Sequence, residues 1–146
     1  MGFTLSIKGQ DATINLGTDV ITSAHVDINT PLTSVAKSTN ASATMWVTGK
    51  LTADTSGIDG NINSDTLKLF KWSLVSAQDA DSYRDVTVEV ITAGHIFRTI
   101  HFPNAFVVDY SERYNDSIGV GEFSLTLRQR ADKVSDVTPS ENGQNP

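Results

Sequence analysis

The segments Ser64-Asp-Thr-Leu-Lys-Leu-Phe-Lys-Trp-Ser-Leu-Val75, Tyr83-Arg-Asp-Val-Thr-Val-Glu-Val-Ile91, Ile100-His-Phe-Pro-Asn-Ala-Phe-Val-Val-Asp-Tyr110 and Val120-Gly-Glu-Phe-Ser-Leu-Thr-Leu127 decide the fold. The first repeats with the period of a helix. Leu67, Phe70 and Leu74 fall on one face, Trp72 and Val75 widen the apolar stripe, and Lys68 and Lys71 stay solvated. Ser64 or Asp65 suits its N-cap, because a side-chain oxygen there satisfies free backbone N–H groups. The later segments switch to a period of two. Val86, Val88 and Val90 alternate with Asp85, Thr87 and Glu89, and Phe123, Leu125 and Leu127 alternate with Ser124 and Thr126. Ala93-Gly94 punctuates a hairpin, and Pro103, which cannot donate to a ladder, marks a strand end. The expected core is Leu67, Phe70, Trp72, Val88, Val107, Phe123 and Leu125.

Strand alternation continues toward the N-terminus. Phe3-Thr-Leu-Ser-Ile7 and Ala12-Thr-Ile-Asn-Leu16 flank a Gly9-Gln-Asp11 turn and read as a hairpin. Residues 20–28 and 41–51 supply two more strands. Between them, residues 29–40 carry little apolar pattern, and residues 52–63 are polar with Gly57 and Gly60, so both are read as long loops. Connections of that length are uncommon and tend to be functional or disordered. Beyond Arg130 the chain turns polar, and residues 131–146 are expected to be a disordered tail. Eight strand candidates with one intervening helix predict a mainly β domain over residues 1–130. Its expected form is an antiparallel β-barrel or sandwich with one short helix packed against it.

Composition narrows the function classes. A net charge of −6 and a pI near 4.8 leave no basic stripe to displace counterions, so no nucleic-acid binding is expected. Zero cysteines exclude disulfides, thiolate-ligated zinc and iron–sulfur clusters. No apolar run approaches the roughly 20 residues of a membrane-spanning helix. The N-terminus has no charged region leading into a long apolar one, so synthesis in the cytoplasm is expected.

Reactive constellations are missing from the pattern. Asp59-Gly-Asn-Ile-Asn-Ser-Asp65 spaces oxygen donors like the first half of a calcium loop, but Ser64 stands where the turn glycine belongs and Phe70 where the bidentate Glu belongs. A solvated turn leading into a helix cap explains it better. His25, His95 and His101 form no paired-ligand spacing and read as surface or cross-strand residues. No G-x-S-x-G elbow exists, and Gly119-Val-Gly121 lacks the Lys-Ser/Thr of a phosphate loop. Trp46, Trp72 and Tyr83 are aromatic enough for a carbohydrate platform, although the helical position of Trp72 favours the core. No catalytic, cofactor or metal residue is assigned.

Val86-Thr-Val-Glu89 and Asn104-Ala-Phe-Val-Val-Asp-Tyr110, in order after the helix, resemble the haemolysin-coregulated protein (Hcp) and phage tail-tube superfamily. The resemblance spans roughly residues 43–130, with Phe102 where that family has Leu. It implies a non-enzymatic tube subunit that self-associates, typically as a hexameric ring stacking into a hollow cylinder of a contractile injection system, secretion apparatus or phage-tail-like particle. Sheath, baseplate or spike proteins would be its neighbours, and it would reside in an assembled particle or leave the cell with the apparatus. On that reading the two long loops would contact the next ring, through Thr33, Ser34, Lys37 and Asn40 and through Asp54 and Asp59. The rival reading is a secreted or surface β-sandwich binding module. A hydrolase assembled from scattered carboxylates and histidines ranks last.

Overall fold

The computed structural model describes residues 1–31, 41–52, 61–116 and 120–141. The ring-stacking candidates Thr33, Ser34, Lys37, Asn40, Asp54 and Asp59 lie outside them. The described strands are β1 (Gly2–Lys8), β2 (Thr13–Leu16), β3 (Ile21–Asn29), β4 (Ser42–Thr52), β5 (Arg84–Thr92), β6 (His95–Arg113), β7 (Val120–Gln129) and β8 (Thr138–Ser140). One helix, α1 (Asn61–Ser73), separates β4 from β5. The pairs are antiparallel and follow the path β2-β1-β5-β6-β7-β4-β3, with β8 added to β6.

Chain length forces this sheet to curl. β2 and β3 are the two ends of the path, and a flat run of seven strands would separate them by about 29 Å. Only the short link after Leu16 joins them, and five residues reach about 18 Å at most. The sheet therefore rolls into an open barrel: β1 and β3 come near each other, but no ladder joins them.

The inward side chains are those the alternation picks. Leu5, Ile7, Ile14, Leu16, Met45, Val47, Val86, Val88, Phe123, Leu125 and Leu127 are buried, and Val107 is half-buried against them. The β5–β6 turn is a two-residue hairpin in which Ala93 (φ 53°) and Gly94 (φ 78°) are both left-handed. That is the primed geometry whose twist matches the flanking strands.

Four expectations need correction. α1 begins at Asn61, so Ser64 and Asp65 lie inside the helix and neither is its N-cap. Leu67 and Phe70 are not core: they are 53% and 40% exposed, while Thr66, Leu69 and Trp72 face inward. The helix is apolar on two sides, and the indole of Trp72 selects the buried one by donating Nε1–H to the Ser82 carbonyl at 3.1 Å. Pro103 ends no strand. It lies inside β6 at an irregularity where β5 steps from Arg84 to Val86 as β6 steps from Ala105 to Phe102. β8 reaches only His101 and β7 begins only at Ala105, so neither requires a donor from residue 103. Residues 131–140, expected to be disordered, form a 3₁₀ segment, Ala131–Asp136, and then β8. Gln129 holds that turn. Its fully buried carboxamide accepts from the Asn104 N–H at 3.0 Å and donates to the Lys133 carbonyl at 2.9 Å.

Candidate assembly surface

The outer face of α1 is built from Leu67, Phe70 and Leu74, spaced so that they line up along one side. Leu74 follows the helix and is 72% exposed. Phe70 rests edge-on against Tyr110 of β6, with ring centroids 5.6 Å apart, and Tyr110 stacks on buried Phe123. The stripe is thus seated on the core through a column of three rings. Lys68 borders it, its ammonium reaching the Thr13 carbonyl and the Asp65 carboxylate, each at 3.3 Å.

Tyr110 also anchors a polar knot at the end of β6. Its hydroxyl donates to Glu112 at 2.5 Å, and the Tyr114 hydroxyl donates to the other oxygen of the same carboxylate. Burial, then the Glu112 carboxylate, pushes the Tyr110 phenol up, while the hydrogen bond to Glu112 is the main cause of the same shift at Tyr114. Both phenols stay protonated donors.

Among the described residues, the histidines and aromatics that the sequence singles out do not gather into one site. No three histidines or carboxylates of the described residues gather to hold a metal. His25 lies exposed against Trp46, His95 is exposed beside the β5–β6 turn, and His101 meets Asp85 at 2.7 Å on the outer face. The aromatic platform does not form: Trp72 is buried, Trp46 packs on His25, and Tyr83 packs on Phe106 and under Arg130. A groove of about 200 Å³ between the end of α1 and β6 is lined by Trp72, Ser73, Val75, Tyr83, Phe106 and Val107, without a titrating carboxylate or imidazole. Among the described residues no helix is long and apolar enough to cross a membrane.

No protein-family model and no curated protein matches the chain. Solved structures do. Hcp1 from Flavobacterium johnsoniae aligns over 97% of this chain and 96% of its own at 14% identity, with a TM-score of 0.52. The tube terminating cap of the anti-feeding prophage aligns over 94% and 87% at 14% identity, with a TM-score of 0.54. Hcp1 from E. coli aligns over 97% and 99% at 11% identity, with a TM-score of 0.53. The fold is that of Hcp and the tail tubes. In this chain that fold is the open barrel with the single described helix α1 between β4 and β5. Of the candidate surface residues, the sequence pattern brings out Leu67, Phe70 and Leu74 as one stripe but assigns the stripe to the wrong side of the helix. The Tyr110–Glu112–Tyr114 knot escapes it. Its spacing of two, with Tyr110 and Glu112 on β6 and Tyr114 just past its end, is the signal in the sequence for three side chains on one side of the chain.

Proposed function

We propose that the chain is a tube subunit of a contractile injection system, secretion apparatus or phage-tail-like particle, acting by self-assembly and not by turnover. The observation that carries this reading is the apolar stripe Leu67–Phe70–Leu74, held rigidly outward on a tail-tube fold. A monomer gains nothing from exposing three large apolar side chains in a row, whereas an interface between copies buries them. The open edges of β2 and β3 favour the same conclusion, since unpaired strand edges are satisfied by neighbours in a closed ring. A hexamer is the ring size proposed, with particle proteins such as sheath and baseplate as further contacts.

Solution mass tests it. The parent chain should populate a species near six copies of 15.7 kDa by analytical ultracentrifugation. Leu67→Asp/Leu74→Asp should remain a single chain with an unchanged Tm, because both positions are exposed in the monomer. A parent that stays a single copy at every accessible concentration rules the reading out. The stretches at residues 30–41 and 53–60, which connect β3 to β4 and β4 to α1, are proposed to join successive rings. Deleting residues 33–38 should leave rings that no longer stack, and tubes of parental length in electron micrographs would refute that assignment.

A further inference from the structure

β6 is unequally covered. β5 pairs with it on one side from His95 onward, whereas on the other side β7 begins only at Ala105. β8 fills part of the remainder, setting Ser140, Pro139 and Thr138 against Thr99, Ile100 and His101. Along residues 95–98 that second edge meets no strand among the described residues, and Phe97 there is 52% exposed.

β8 is a poor occupant of this edge. It is three residues long, and Pro139 at its centre has no N–H to donate. The hydroxyls of Thr99 and Ser140, opposite each other in register, are both buried without a partner among the described residues. Each loses its hydration and gains no bond in return. The connecting segment Ala131–Asp136 is held by the Gln129 bond to Lys133 and by half-buried Val134 against the core, but it fully buries no side chain, has no side-chain cap at Arg130, and breaks helical geometry at Lys133.

A better-matched strand exists on the same molecule's far edge. β3 has nine residues and a ladder only to β4, while the other free edge, β2, has four and is too short to span residues 95–101. β3 carries exposed Ile28 and Asp27, complementary to Phe97 and Arg98 on β6.

We propose that β8 is a displaceable latch over a strand-docking edge on β6, and that β3 of a second copy takes residues 95–101 when chains assemble. This rests on the tube-subunit reading. It makes the C-terminal segment a guard: the edge is covered in the isolated chain and becomes available only where a longer strand competes for it.

A disulfide can lock the latch, and the chain has no other cysteine to interfere. Directly paired antiparallel residues have Cα atoms roughly 4.5–5.5 Å apart, inside the range a disulfide spans. Oxidised Thr99→Cys/Ser140→Cys should form rings at least about tenfold more slowly than the same variant under reductant, whose latch opens freely. Equal assembly in the two states overturns the latch. Phe97→Asp should block assembly without lowering Tm, and assembly at the parental rate overturns the β6 docking edge. If the parent itself never assembles, the tube reading fails and the docking partner with it. The latch is then judged by amide exchange, and Thr138 and Ser140 amides as protected as those of β5 would overturn it.

Discussion

Replacing Gly49 with alanine should destabilise the chain by about 3 kcal/mol, at the upper end of what overpacking a filled core costs. Gly49 lies in β4 between Ile21 of β3 and Phe123 of β7. A Cβ there would stand 2.4 and 2.5 Å from two carbons of the Phe123 ring and 2.9 Å from the Val20 carbonyl oxygen. Neither neighbour can retreat cheaply. The Val20 carbonyl accepts the Lys50 N–H at 2.8 Å, and Phe123 is buried with Tyr110 stacked upon it. Urea unfolding of Gly49→Ala measures the loss. The cause is tested by adding Phe123→Leu, which frees space: the two losses should fall short of additivity by about 1 kcal/mol. A loss under about 0.5 kcal/mol for Gly49→Ala, the range of neutral surface changes, would contradict the packing described here.

Asp81→Ala should cost a similar amount, about 3 kcal/mol, by stranding a buried guanidinium. Arg84 is 6% exposed, and its fork grips Asp81 through Nη2–Oδ2 at 2.6 Å and Nε–Oδ1 at 3.2 Å. The guanidinium lies over the Trp72 ring at 5.3 Å, and Asp81 Oδ1 also accepts from the Gln10 N–H. One carboxylate thus ties the β1–β2 turn, the 3₁₀ turn Ala80–Ser82 and the start of β5 to the helix. The hydrogen bond from Arg84 is the main cause that holds the Asp81 carboxyl below its ordinary 3.8. Burial opposes it, and the Gln10 N–H and the Arg84 charge add to the lowering. A depressed carboxyl contributes stability that is fully present above the unfolded-state value and disappears as pH falls through the lower folded value. The stability gap between the parent and Asp81→Asn should accordingly be flat at neutral pH and shrink below about pH 4. A gap that stays constant into strong acid would show that Asp81 acts through shape and not through charge.

Much of this arrangement is legible in the residues. Period-two alternation locates the strands because a half-buried strand must send successive side chains to opposite faces, so Val86/Val88 and Phe123/Leu125/Leu127 declare their own orientation. The same alternation, carried one step further, points Gln129 inward, and there it is fully buried. Ala93-Gly94 announces its turn because glycine accepts a left-handed φ without strain. The candidate surface was harder to read. Leu67, Phe70 and Leu74 repeat like a core stripe, and hydrophobicity alone cannot distinguish a face buried within one chain from a face buried between two.

Residue order by itself determined that this is a β domain with one helix, and set which side of most strands points inward. Period and turn chemistry are local properties carried by neighbouring residues. Tertiary contacts decided the rest: which side of α1 is covered, that Arg84 could be buried, and that Thr138-Pro139-Ser140 becomes a strand. In each case the deciding partner is distant in sequence or absent from any periodic pattern. Trp72 needs the Ser82 carbonyl, and β8 needs the edge of β6 that β7 leaves uncovered.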